Sequence, residues 1–400
     1  MDKWKKYTFD EISLSSLIGL VRNSNEQSPS NEFNYLKMNN ITNGGNLDLS
    51  VMVKVNATSE EVERYKLLNG DFLFNTRNSI ELVGKTAVFS SDDLMLFNNN
   101  ILRVRFKKHI DSKFINYQFK SSLFKEKLEK IKSGTTNVAA IYYKSLRNVE
   151  VFAPLIEEQR RITSKLDELF LKIDKSILLL EENLKHSKAL LLSILDEEFS
   201  KLDCKQEEIG KILEKSNNLN PITEFKEKEF TYIDITSVNN VQYSIDNPKI
   251  LKGKDAPSRA KKVVKQGDIV FATTRPNLKN IAIVNKDYIN PIASTGFCVL
   301  RPIETKLNNE YLFYFLTSQK VQELITPFIK GAQYPAISDK DLLSIKIPLP
   351  NSIKEQEKIV STIKLITDTT NNFINEIQIK LDNMKALKSS LLDQAFKGEL

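Results

Sequence analysis

Two cysteines, Cys204 and Cys298, are all that 400 residues contain. They cannot build a disulfide framework, they fit a reducing cytosol, and neither sits in a metal-ligand spacing. Histidine is as scarce. His109 and His186 leave a histidine-based metal centre or a Ser/His/Asp triad poorly supplied, and both read as surface residues. No stretch of about eighteen uninterrupted apolar residues occurs, and the N-terminal MDKWKKYTFDEI has no apolar signal core. The expectation is a cytoplasmic protein with no membrane span.

Glycine is sparse too, at 12 residues, and it is not placed for nucleotide binding. A P-loop needs glycine five positions ahead of Gly84-Lys85-Thr86, where Ser79 stands, so that segment reads as a surface turn. Gly44-Gly45, within NNITNGGN, reads as a hairpin turn rather than a cofactor loop. Asn247-Pro248-Lys249 and Asn290-Pro291-Ile292 lack the second proline and the aromatic residue of the tetrad with which DNA amino-methyltransferases orient a flipped base. Glu224-Phe225-Lys226 has an E-x-K spacing found in some nucleases, but it lies in a Lys/Glu-rich stretch and reads as a solvated charge run. No catalytic residue, metal site or cofactor is expected in this chain.

What is present is a folded composition, with 41% hydrophobic and 27% charged residues, long enough for more than one core. The formal charge is +7 and the pI near 9.0, which favours a polyanionic partner.

The sequence also repeats itself at a spacing of about 197 residues. Glu11-Ile12 returns as Glu208-Ile209, and YLKMNNI from Tyr35 as YIDITSV from Tyr232. GDFLFNTR (Gly70 to Arg77) returns as GDIVFATTR (Gly267 to Arg275), with one residue inserted. Leu102-Arg103 is matched to Leu300-Arg301, FINYQF from Phe114 to YLFYFL from Tyr311, SGTTNVAAI to KGAQYPAI, and EEQRRI (Glu157 to Ile162) to KEQEKI (Lys354 to Ile359). Two copies of one unit imply two copies of one task.

Each copy passes from a mixed region into a helical one across a proline-marked join, VEVFAPLIEEQ and IKIPLPNSIKEQ. Ser352 with Glu355 makes a capping-box pattern that predicts a helix start. No glycine or proline interrupts 155–199 or 351–397. Apolar residues recur three or four apart at Ile162, Leu166, Leu169, Ile173, Ile177, Leu180 and Leu184, and three, four or seven apart at Ile359, Ile363, Ile366, Phe373, Ile377, Met384 and Leu391. These are coiled-coil-like seams that would zip against each other, antiparallel because a globular unit lies between them. The fold class is therefore α+β: two similar mixed α/β domains, 1–153 and 200–350, separated by two long antiparallel coiled-coil helices, 154–199 and 351–400, in a pseudo-twofold repeat. The helices net to about −3 and 0, so an excess near +10 falls on the mixed domains.

The duplicated architecture, the APLIEEQRRI and IPLPNSIKEQEKI joins, the paired GDFLFNTR and GDIVFATTR segments, and the terminal KSSLLDQAFKGEL resemble the specificity subunit of type I restriction-modification systems over essentially the whole chain. The resemblance implies a non-catalytic subunit that recognises double-stranded DNA. Each target-recognition domain would read one half of a split sequence, with the helices setting the gap. It implies as partners two modification subunits, which bind S-adenosylmethionine and methylate adenine, and restriction subunits that use ATP and Mg to translocate and cut DNA. The first join has one residue fewer between proline and glutamate than the second, so the two copies need not be symmetric. A coiled-coil scaffold with two protein-binding domains is the competing reading.

Two segments per domain are candidates for DNA contact. One is the strand end carrying Asn75, Thr76 and Arg77, or Thr273, Thr274 and Arg275, where an arginine could meet guanine or phosphate, or could instead brace the domain against a carboxylate. The other is the small-residue loop Lys132, Ser133, Gly134, Thr135, Thr136, Asn137 in one copy and Lys330, Gly331, Gln333, Tyr334 in the other. Its backbone could approach phosphates closely, or it could be a plain turn.

Overall fold

The computed structural model describes residues 4–134, 138–331 and 333–400. They form two compact units, Met1–Leu180 with Ile379–Leu400, and Glu181–Gln378.

The first unit is organised around the strand Phe72–Asn75, which lies between Ile101–Phe106 and Thr86–Val88 in a four-stranded antiparallel sheet completed by Ser13–Ile18. Alternate side chains of a strand face opposite ways. Phe72 and Phe74 accordingly join Phe9, Phe114, Phe119 and Phe124 in one core, while Leu73 joins Phe89 and Phe97 in another. Burial on both faces explains why FLF is an unbroken apolar run rather than an alternating one. A second sheet, Val53–Val55, Phe33–Leu36 and Met95–Phe97, contains one parallel pair.

The second unit repeats this plan. Ile269–Ala272 lies between Phe297–Pro302 and Ile281–Ile283, and the YIDITSV strand, Glu229–Ile233, again runs parallel to a later strand, Ile292–Ser294. Ile269 and Phe271 face one core, Val270 and Ala272 the other.

Strand register corrects one of the sequence matches. Phe72 lies opposite Val104 and Ile269 opposite Leu300, so the counterpart of Arg301 is Arg105 and not Arg103. Function agrees with register. Arg105 donates to both carboxylate oxygens of Asp71 at 2.7 and 3.2 Å, and Arg301 to both of Asp268 at 2.8 and 2.7 Å. The Leu-Arg pair misled because β-strand side chains repeat every second residue, so a shift of two preserves the pattern.

Two 45-residue helices, Ile156–Ser200 and Ile353–Lys397, contribute to both units. The predicted start of the second holds, with Ser352 Oγ accepting from the Glu355 amide at 3.3 Å; the Glu355 carboxylate reaches one residue further back, to the Asn351 amide at 3.1 Å. Within the first unit the two helices run antiparallel. Arg161 donates to the Leu400 carbonyl, and Asp174, a little over three turns along, pairs with Lys388. Of the expected seam, Ile162, Leu166, Ile173, Ile363 and Ile377 are buried, and Leu169, Ile177, Leu180, Leu184, Ile359, Ile366, Met384 and Leu391 are half-buried. Phe373 departs from it at 52% exposed. It stands one residue, about 100° of helix, off the stripe that Ile374 and Ile377 continue.

The helices are integral to the domain cores. Phe396 packs on Trp4 and Phe114 in the first unit, with ring centroids 6.2 and 5.2 Å away, and Phe199 packs on Tyr311 and Phe315 in the second at 5.3 and 5.4 Å. Asp393 accepts from the amide and hydroxyl of Ser122 at the start of the helix Ser122–Glu129; Asp196 accepts from the Lys320 amide in the first turn of Gln319–Ile325. A carboxylate there satisfies free amides and meets the positive end of the helix dipole.

Candidate nucleic-acid interface

The glutamine of each EEQ or KEQ motif sets the frame on which the candidate segments stand. Gln159 and Gln356 are fully buried. Each accepts from the amide of a helix N-cap residue, Asp111 at 2.9 Å and Asn308 at 2.8 Å, and donates to a carbonyl just upstream, of His109 or Lys306, at 3.0 Å. The repeat exposed this motif, but the glutamine's role was invisible because its partners lie 48 and 50 residues away. Likewise, the aspartates of the two GD motifs, Asp71 and Asp268, are buried anchors for Arg105 and Arg301. Asp268 in turn pushes the Arg301 pKa above its ordinary value.

From this frame the chain emerges at the strand end and meets the second candidate segment. In the first domain Arg77–Asn78 pairs with Ala139–Ala140, which pairs with Ser133–Gly134. In the second, Thr274 bridges to Ala336, and Ala336 bridges to Lys330. The two segments are thus brought together in each domain by the same ladder. Its register makes Thr274, not Arg275, the counterpart of Arg77, and the inserted residue carries Arg275 one step beyond.

Several predicted contacts turn out to be internal. Asn75 is completely buried, and its side-chain amide has no hydrogen-bond partner among the described residues. Thr76 and Thr273 donate their hydroxyls to the carbonyls of Asn100 and Gly296 at 2.9 and 3.0 Å, and their own carbonyls accept from Ile141 and Ile337. They tie strand end to loop. Lys132 is held by Glu129 and by the Ile80 carbonyl. Thr76, Thr273 and Lys132 are corrected from DNA-contact candidates to supports, and Asn75 to a buried residue that faces the core.

The remaining candidates are exposed: Arg77, Ser133 and Gly134 in one domain, and Thr274, Arg275, Lys330, Gly331, Gln333 and Tyr334 in the other. Thr135, Thr136 and Asn137 lie outside the described residues. Gly134, at φ +131°, has the Val138 carbonyl oxygen 2.3 Å from where a Cβ would stand, so the turn requires glycine. No ion pair among the described residues involves Arg77 or Arg275; the arginines that brace each sheet against its GD aspartate are Arg105 and Arg301. Arg275 instead lies over the ring of Tyr334, 5.5 Å from its centroid.

Other expectations can be placed. His109 and His186 are exposed, Glu224 and Lys226 are exposed, and Gly45 takes φ +73° in a turn closed by the Ile41–Leu47 bridge. Among the described residues no cluster of His, Cys, Asp and Glu could hold a metal ion, and no helix is long and apolar enough to cross a membrane.

A duplicated α+β unit that presents the same exposed ladder twice, on a frame whose buried glutamine, aspartate–arginine pair and threonine recur, defines a two-headed recognition protein. More specifically, the chain belongs to the type I restriction modification DNA specificity domain family, whose model matches residues 1–182 and 201–383. It is 28% identical over 328 residues to the type I restriction enzyme specificity subunit designated MjaX of Methanocaldococcus jannaschii, covering 77% of this chain and 74% of that one. It is 27% identical over 330 residues to the EcoKI specificity subunit of Escherichia coli K12, covering 74% and 67%. In fold it matches a chain from a structural study of the assembly and conformational transition of the type I R-M system, with a TM-score of 0.78 at 20% identity over 100% of this chain and 99% of that one. The HsdS subunit from Thermoanaerobacter tengcongensis matches with a TM-score of 0.60, also at 20% identity, over 100% and 98%.

Proposed function

We propose that this chain is the DNA-reading subunit of a type I restriction-modification complex, with each domain reading one half of a bipartite sequence and the paired helices fixing the gap between halves. The observation that carries this reading is the recurrence, in both domains, of one exposed ladder whose supports are alike and whose exposed residues differ. Arg77 and Ser133 stand where the second domain offers Thr274 and Lys330, while the glycine of the turn, Gly134 or Gly331, is kept. Like supports with unlike tips suit two readers of different half-sites.

The reaction belongs to partners. S-adenosylmethionine is assigned to modification subunits, ATP and Mg to restriction subunits, and the chain itself binds none of them. An assembly surface is available on each unit. Leu171, Leu178, Leu179 and Leu387 are exposed on the helical part of the first, and Leu190, Leu365 and Phe373 on that of the second. Large apolar side chains exposed at such density suit a protein interface.

The test is an exchange of residues 1–150 for the first domain of another family member, followed by methylation mapping of the assembled complex. One half of the recognised sequence should change and the other should persist. A change in both halves would overturn the division of labour. Affinity for target duplex should also fall steeply as salt rises, through the phosphate contacts that a basic reader makes.

A further inference from the structure

The second domain carries a feature that the first lacks. Its inserted residue places Arg275 in the left-handed region, at φ 50° and ψ 54°, and Lys279 returns to that region at φ 51° on the far side of the short turn Pro276–Leu278. Non-glycine residues enter this region at a cost of about 1 kcal/mol or more, and hold it only where neighbours impose it. Here they do: the Arg275 amide donates to the Pro335 carbonyl at 2.7 Å, the Leu278 amide to the Arg275 carbonyl at 2.9 Å, and Lys279 Nζ to the Thr317 carbonyl at 2.9 Å.

Tyr334 is fixed from the other side. Proline follows it, which restricts its backbone. The loop around it is closed by reciprocal hydrogen bonds between Lys330 and Ala336, at 2.9 and 2.8 Å, and Gly331 permits the closure at φ +92° with the Tyr334 carbonyl oxygen 2.8 Å from where a Cβ would stand. Tyr334 is nonetheless 71% exposed, and so presents its ring outward with the Arg275 guanidinium over it.

A guanidinium held over a ring is confined to that side and keeps N–H groups for another partner. Those N–H groups match the O6 and N7 acceptors of guanine in the major groove, and holding the side chain in place beforehand lowers the ordering cost of the bidentate contact. We infer that Arg275, clamped by Tyr334, reads a guanine in the half-site of the second domain. The inference rests on the DNA-reading function proposed above and adds the base, the residue and the device that orients it. A phosphate could take the same planar fork, and the two partners differ in that only a base contact makes binding depend on sequence.

The experiment is in vitro selection from randomised duplex DNA with the full-length chain, as wild type and as Arg275→Lys, Arg275→Ala, Tyr334→Phe and Tyr334→Ala. Wild type should enrich a motif of two blocks. Arg275→Ala should lose guanine preference at one position of one block by roughly tenfold or more, with every other position retained, and Arg275→Lys, which can reach the same acceptors, should weaken that preference less. Tyr334→Phe, which keeps the ring, should preserve that guanine, and Tyr334→Ala should relax it. Retention of the guanine by Arg275→Ala, with a uniform loss of affinity and no loss of preference, would make Arg275 a phosphate contact and overturn the inference while leaving the general reading intact. Loss of an entire block in both arginine variants would overturn it as well, by making Arg275 a brace of the domain. A wild-type protein that enriches no motif would refute the DNA-reading function itself, and the inference with it.

Discussion

Asn75 occupies a position that the second domain fills with Ala272, and both face an apolar core on the same side of the equivalent strand. An unpartnered buried amide costs about 1–3 kcal/mol. Asn75→Ala should therefore leave DNA affinity unchanged and raise the stability of the first domain by about 1 kcal/mol, read from its urea midpoint. A loss of stability instead would mean that the amide has a partner in solution. The same residue shows what sequence reading misses at this scale. FNTR and FATTR identify a strand end, but whether a residue there points to solvent or core depends on neighbours distant in sequence. Thr76 is secured by Asn100 and Lys132 by Ile80, and neither partner is adjacent in the chain. Arg77 and Arg275 could be singled out by charge, whereas the ring beneath Arg275 comes from a loop that only the fold brings near.

At the scale of elements, most of the helical frame was legible, because three-and-four spacing over 45 residues without glycine or proline has few other outcomes. Phe373 escaped the pattern because size drew it into a stripe that Ile374 fulfils. A further repeat was present and overlooked: ILDEEF, ending at Phe199, matches LLDQAF, ending at Phe396. Those segments hold the aspartates and phenylalanines that bind the far ends of the helices to the domains. Phe396→Ala should cost about 3–5 kcal/mol in the first domain, and Phe199→Ala a similar amount in the second. Hydrogen exchange should report this separately, with protection lost over Ser112–Lys120 in one variant and over Asn309–Thr317 in the other. Equal loss in both domains from either variant would contradict the independence of the two cores. Interactions can survive even when charges do not. Lys113 pairs with Asp167 at 3.3 Å in the first unit, and in the second, 197 residues on, Glu310 pairs with Lys364 with the signs exchanged. A reader of sequence sees divergence at those sites, although the contact is kept.

For the whole molecule, the helices as a measure of distance make a quantitative prediction. Removing seven residues from each helix, in matching register, takes out two turns and about 10 Å. The gap in the recognised sequence should shorten by about three base pairs, given 3.4 Å per pair, while both specific blocks stay the same. An unchanged gap in the methylation map would remove the helices from that role. The duplication was the most legible feature of all, because a spacing of 197 residues is set by the chain and survives small insertions. Where the inserted residue falls, at Arg275, the two copies part in backbone geometry, and no alignment of letters conveys that a left-handed turn results.

The placement of Phe396 inside the first core has a consequence for how the chain is made. Domains usually fold in order as they leave the ribosome. Here the first unit draws on Ile379–Leu400, which follow the whole of the other unit in the chain, so its core is completed after the parts of the second are all made. Synthesis halted soon after Gln378 would release a later-made reader with every part of its core and an earlier-made reader without Phe396.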